Sequence, residues 1–183
     1  MERWAPAEVI ASAATGNAIA VEELLVAIWP ACFRLATMVT GDRGLAEDAA
    51  QETCVIVFRK VRGLRRIAAF DAWLYRILMH ESAKARRRSG HVAEQIDQST
   101  MSNGNISVDV WRALGELSPE LRAVTVLFYF HDLTGDEIAS ALRVSHGAVR
   151  VRLTRAREAL RALLGDYEFE QQTSPLKVQH YAV

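Results

Sequence analysis

Between Thr134 and Arg157 the sequence holds a short apolar-periodic segment, a break of about three residues and a longer periodic segment. Thr134 with Glu137 forms a capping box, in which each side chain satisfies the other's backbone N–H. That opens a helix running to about Leu142. Ser145 caps the next one, whose buried stripe is Val149, Leu153, Ala156, Leu160 and Leu163. A short helix set against a long one by a tight turn is helix-turn-helix geometry. The second helix of such a unit can lie in the DNA major groove, with its N-terminal side chains at the base edges. Its outward face offers His146, Arg150, Val151, Thr154, Arg155 and Arg157. Arginine bonds guanine or phosphate, and valine or threonine touches a thymine methyl.

The rest of the sequence reads the same way, so the expected fold class is all-α. A short helix runs from Pro6 to about Thr15, and Gly16 ends it. Asn17 caps a second helix over 18–39, which Pro30 should kink or break because it lacks a backbone donor. A third helix covers 44–61, with Ala46, Ala50, Cys54, Val57 and Val61 as one core stripe. The basic loop Arg62–Ala69 follows. A fourth helix starts near Asp71, buries Trp73, Leu74, Ile77 and Leu78, and ends in Lys84, Arg86, Arg87 and Arg88. Residues 89–107 are polar and aperiodic, the pattern of a flexible linker. Helicity resumes near Val108, and Ser118 with Pro119 opens an apolar helix through His131. The organisation expected is a helical domain over 1–88, a linker over 89–107, a helix-turn-helix domain over 108–165 and a tail over 166–183.

Charge is distributed in blocks. The total is zero, with 22 basic and 22 acidic residues, but 1–58 is net −5, 59–88 net +8, 89–142 net −6 and 143–161 net +5. Each basic block attracts polyanions whatever the total. One such block alone fits a solvated helix face; two of them, each closing a helical pattern, point to nucleic acid. The acidic stretch between them is expected to mask both in part in the free protein. The longest apolar run, Val124–Phe130, is too short to cross a bilayer, and the N-terminus has no secretory pattern. Cys32 and Cys54 form no CxxC pair, which fits a reducing cytoplasm and disfavours zinc or a disulfide framework. There is no P-loop, GxSxG or HExxH, and the five histidines lack metal-ligand spacing. No catalytic residue, metal, cofactor or small-molecule substrate is therefore expected, and the protein reads as not an enzyme.

Two sets of residues resemble a known family. Residues 113–164 are similar to region four of a bacterial RNA polymerase sigma factor of the extracytoplasmic-function type. The likeness rests on Leu117, Ser118, Pro119, Glu120, Leu121 and Arg122, on Glu137, Ile138 and Ala139, and on the run Gly147–Arg157. Residues 20–88 resemble region two of that family through Ala46, Glu47 and Asp48, through Gln51, Glu52 and Thr53, and through the run Phe70–Ile77. Both stand in the family's order, with a linker where the family has one.

The resemblance implies a dissociable polymerase subunit. Region two docks on the clamp helices of the largest subunit and reads the minus-ten element as a separated strand. Region four sits under the flap of the second large subunit and reads the minus-thirty-five element as duplex. Carried onto this sequence, Asp48, Gln51 and Glu52 fall on the polymerase-docking face. Arg62, Arg65, Arg66, Phe70, Tyr75, Arg76, His80, Lys84 and Arg87 fall on the minus-ten side, where cations hold phosphate and planar groups stack on bases. Ser145, His146, Arg150, Val151, Thr154, Arg155 and Arg157 fall on the minus-thirty-five side. An anti-sigma factor is a further implied partner. This sequence departs from the family at His80, where Asn is usual, at Lys84, where Asp is usual, at Arg143, a turn glycine, and at Ala148 and Val151, usually Thr and Ser. Two other readings compete: a stand-alone helix-turn-helix regulator, which would bind duplex tightly by itself, and an interaction protein that captures an inhibitor without touching DNA.

Overall fold

The computed structural model describes residues 4–89 and 108–164. Of the linker expected over 89–107, Ser89 is the last residue of the fourth helix, and the rest of it, like the tail expected over 166–183, lies outside the described residues. Among the described residues the regular elements are α1 (Ala7–Ala14), α2 (Ala18–Thr40), α3 (Arg43–Lys60), α4 (Phe70–Ser89), α5 (Val108–Glu116), α6 (Pro119–Tyr129), α7 (Gly135–Leu142) and α8 (His146–Leu164). No strand occurs among them.

Capping chemistry sets most of the boundaries. Gly16 takes φ +94°, a left-handed value that suits only glycine, and closes α1. The Asn17 side chain then accepts from the Ile19 and Ala20 N–H groups at 3.0 and 3.2 Å and opens α2. Gly41 at φ 74° ends α2 with its N–H on the Thr37 carbonyl. Asp42 caps α3 by accepting from Leu45 N–H at 2.8 Å. Pro30 does not break α2, which stays one helix of 23 residues. Pro30 is exposed, while Ile28 and Cys32 on either side are buried, so packing of the flanking turns outweighs the one missing donor. The expected basic loop is tightened by two short 3₁₀ turns, Val61–Gly63 and Ile67–Ala69. The fourth helix begins at Phe70, one residue before the expected cap.

The first half is a bundle in which α2, α3 and α4 pack on one another and α1 leans on α2. Leu24, Ile28, Leu35, Val57, Leu74 and Leu78 are fully buried in it. In the second half α8 packs on α6 and α7, and α5 packs on α8. Arg122 holds the α5–α6 corner. It is 1% exposed, and its Nε donates to the Leu114 carbonyl at 2.7 Å. Its Nη2 donates to the carbonyls of Gly115 and Leu117. These are carbonyls at and just past the end of α5, where helical acceptors run out of i+4 donors (Leu114 also accepts from Leu117 N–H at 3.2 Å), so the guanidinium caps the C-terminus of that helix.

The halves are not held apart. α4 lies against α7 and α2 against α6, and the buried apolar side chains form one contiguous core. The seam has an aromatic clasp. Tyr75 and His131 share a hydrogen bond of 3.0 Å between Oη and Nδ1. Trp4 sets its ring edgewise on Tyr75 at 5.0 Å and stacks on His131 at 6.2 Å. The N-terminal segment thereby touches both halves. Burial is the main cause that drives the His131 pKa down to about 4, with Arg34 adding to it, so the ring is neutral in this setting.

Candidate polymerase and nucleic-acid interfaces

Asp48, Gln51 and Glu52 are exposed on α3, as expected for a docking face. Gln51 donates to Glu47 across one turn at 3.4 Å. Next to them a groove of about 400 Å³ runs between α3 and α4, and Lys84 and Arg88 line its other wall. Glu81, 5% exposed, holds Lys84 at 2.8 Å. Lys84 thus belongs to the acidic α3–α4 groove, not to the basic side with Arg76, His80 and Arg87. The reason is helical phase. Residues 81, 84, 85 and 88 face α3, while 76, 80, 83 and 87 face the opposite groove.

Arg62, Arg65 and Arg66 are exposed on the 3₁₀ segment that precedes α4. Arg62 leans over the α1–α2 turn, where a Cβ on Gly16 would meet its Nε at 3.6 Å. The planar groups depart from expectation. Phe70 is 0% and Tyr75 4% exposed, so neither offers a stacking face in this conformation. Phe70 anchors the start of α4 in the core, and Tyr75 is engaged in the clasp, where burial first and then Asp71 raise its pKa. Trp73, expected to be core, is half-buried and tilts onto Phe70 at 5.9 Å.

The helix-turn-helix is present as read. The capping box of α7 is complete: Thr134 N–H donates to Glu137 Oε2 at 2.8 Å, and Glu137 N–H donates to Thr134 Oγ1 at 3.4 Å. Arg143 closes α7 in the left-handed conformation, φ 55° and ψ 46°. A side chain there costs about 1–2 kcal/mol relative to glycine. Ser145 Oγ accepts from Ala148 N–H at 3.1 Å and opens α8. Arg150, Val151, Thr154 and Arg155 are all exposed, as is His146, and Val149, Leu153, Ala156 and Leu160 are buried behind them. Thr154 Oγ1 donates to the Arg150 carbonyl at 3.1 Å, which leaves its methyl and oxygen lone pairs for a partner.

Arg157 does not belong to that surface. It is half-buried, donates from Nε to Tyr129 Oη at 2.9 Å and lies over the Phe128 ring at 5.7 Å. It shares the helical phase of Arg150, but two turns further along α8 the Tyr129 and Phe128 side chains of α6 reach that face, so Arg157 ties α8 to α6. Both cysteines are free thiols; burial pushes Cys54 up to about 11 and raises Cys32 further, so neither is a reactive thiolate.

Residues 21–92 match the Sigma-70 region 2 family, and residues 107–160 match Sigma-70, region 4. The ECF RNA polymerase sigma factor SigL of Mycobacterium tuberculosis is 32% identical over 144 residues, spanning 72% of this chain and 81% of SigL. The protein belongs to the ECF sigma factors of RNA polymerase. SigE of Mycolicibacterium smegmatis is 33% identical over 152 residues, 75% of this sigma factor and 59% of SigE. Among solved structures, CnrH in complex with the cytosolic domain of CnrY aligns with TM-score 0.65 at 28% identity, over 86% of this protein and 96% of the other. The sigma factor RpoE in complex with the anti-sigma factor NepR, from Bartonella quintana, shares the fold with TM-score 0.66 at 24% identity, over 78% of this protein and 95% of RpoE. Sigma factors are DNA-recognition proteins of transcription initiation rather than enzymes. No helix among the described residues is long and apolar enough to cross a membrane.

Proposed function

We propose that this sigma factor binds core RNA polymerase in the cytoplasm and directs it to promoters, reading the minus-ten element as a melted strand and the minus-thirty-five element as duplex. The observation that carries the reading is the exposed face of α8. Arg150, Val151, Thr154 and Arg155 stand together on a helix whose N-terminus is capped and whose back is buried. Such a face supplies two groups for guanine or phosphate and one or two for a thymine methyl. Asp48, Gln51 and Glu52 on α3 dock on the basic coiled coil of the polymerase clamp, and region four sits beneath the flap.

Arg62, Arg65, Arg66, Arg76, His80 and Arg87 meet the separated strand. Opening the duplex costs about 1.4 kcal/mol per base-pair step. Each base stacked on an aromatic ring returns about 1–3 kcal/mol, so a few trapped bases hold a short bubble without ATP. Tyr75 becomes available for this only when the clasp with His131 and Trp4 opens. Promoter reading through the minus-ten face therefore requires region two and region four to separate. RpoE and CnrH are both known in complexes with protein partners, and an anti-sigma factor is the corresponding partner of this protein.

Run-off transcription with purified core polymerase on genomic fragments tests the assignment. Discrete transcripts that require the sigma factor, and that vanish with Arg150→Glu/Arg155→Glu, are the expected result. Transcript starts indifferent to its presence refute it.

A further inference from the structure

The closed seam leaves a cavity of about 260 Å³ between α4 on one side and α6, α7 and α8 on the other. Half of its lining is apolar, with Val39, Met79, Ala123 and Ala141 among it, and the charged remainder is nearly all of one sign. Arg76, Arg86 and Arg87 of α4 face Arg143 and Arg152 across it, with His80 at the edge. Glu120 is the one carboxylate among the lining residues. Of the acidic stretch between the basic blocks, Glu120 is the one described carboxylate that reaches this space. Arg86 gives one N–H to the Thr40 carbonyl at 2.6 Å, and the buried Nε of Arg76 has no hydrogen-bond partner. Like charges held face to face repel, and a buried N–H without an acceptor is costly. An anion in the cleft would offset that repulsion and give the Arg76 N–H an acceptor.

We propose that this cleft is a binding site for a compact, multiply charged phosphate, and that the bound anion latches region two to region four. The volume lies below that of pockets for drug-sized ligands, so a short polyphosphate fits where a duplex cannot enter. Guanidinium groups pair with phosphate oxygens through two N–H donors each, which favours phosphate over simple halide. The site draws on both halves, so the anion stabilises only the closed form. Its effect on promoters rests on the reading given above, because Arg76, His80 and Arg87 would be shared between the anion and the minus-ten strand.

Titration calorimetry of the full-length protein with sodium triphosphate at constant ionic strength tests the site itself. One-to-one binding about tenfold tighter than sulfate is expected, since several guanidiniums engage one ligand. Arg143→Gly/Arg152→Gln should weaken it about tenfold. Neither residue belongs to the DNA-reading set. The glycine relieves a left-handed backbone, and a thermal midpoint in potassium chloride verifies folding. ATP binding equal to triphosphate marks a site for the phosphate groups alone, and tighter ATP binding marks a nucleoside polyphosphate; both uphold the proposal. Sulfate-like affinity, or unchanged affinity in the double variant, overturns it. So does a single-stranded oligonucleotide that binds far tighter than triphosphate and is weakened equally by the double variant, because the cleft would then belong to DNA. The titration contains neither polymerase nor promoter, so its failure leaves the promoter reading standing, and a failed transcription assay leaves the site standing.

Discussion

Lowering the pH from 7.5 to 5.5 should destabilise this sigma factor through His131. Burial, with Arg34 adding to it and Asp132 opposing, lowers the pKa of this ring from 6.5 to about 4. The unfolded protein then takes up a proton that the folded protein refuses. The contribution of His131 is fully present above the unfolded pKa and is lost as the pH falls from 6.5 towards 4. Linkage over that interval, with one proton and those two values, gives a loss of about 1.3 kcal/mol between pH 7.5 and 5.5. The figure is insensitive to the folded value, since a folded pKa of about 5 gives nearly the same loss. Urea unfolding at the two pH values reads it as a shift of the midpoint. His131→Phe keeps an aromatic ring against Trp4 and Tyr75 but cannot titrate, so the variant should be less pH-sensitive by that amount. Equal pH sensitivity in the two proteins would refute the claim that His131 is held neutral, half-buried, in the seam.

Arg122→Met should lower stability by about 3 kcal/mol, because carbonyls of Leu114, Gly115 and Leu117 lose a charged donor; a urea midpoint within error of wild type would exclude the capping role. Arg143→Gly should raise the melting temperature by a few degrees, worth about 1 kcal/mol, by removing a side chain from φ 55°. Arg157→Ala should cost about 1–2 kcal/mol of stability through the lost Tyr129 bond and Phe128 contact while leaving minus-thirty-five base preference unchanged in a selection assay. Ser145→Ala should cost about 1 kcal/mol by uncapping α8, seen by thermal unfolding.

The helices themselves were legible because their ends are written in local chemistry. Asn17, Gly41, the Thr134–Glu137 box and Ser145 act over three or four residues, which a sequence displays directly. The exposed face of α8 was legible for the same reason: helical phase separates Arg150, Val151, Thr154 and Arg155 from the buried stripe Val149, Leu153, Ala156 and Leu160. Phase also carried the information that Lys84 leaves its expected surface, but only once the neighbouring helix was known; Arg157 shares the phase of Arg150, so only the place of α6 reveals its departure. Lys84 turns to Glu81 and α3, and Arg157 turns to Tyr129 and Phe128.

The seam was not legible. Trp4, Tyr75 and His131 are far apart in sequence, and no local rule brings them together. A polar linker suggested two independent modules, whereas Val39 and Met79 on one side and Ala123 and Ala141 on the other give each half an apolar surface for its neighbour. Arg122 was read as part of a family signature; its position near the start of the apolar helix that Ser118 and Pro119 open was the available signal that it is buried and needs acceptors.

The central claim is that promoter recognition belongs to the complex with polymerase and not to this protein by itself. Electrophoretic mobility of a labelled promoter fragment, first with the sigma factor alone and then with core polymerase added, tests it most directly. Weak retention alone and strong, sequence-dependent retention with polymerase is the result expected. Tight, sequence-specific retention by the sigma factor alone, unchanged by polymerase, would contradict it and return the stand-alone regulator.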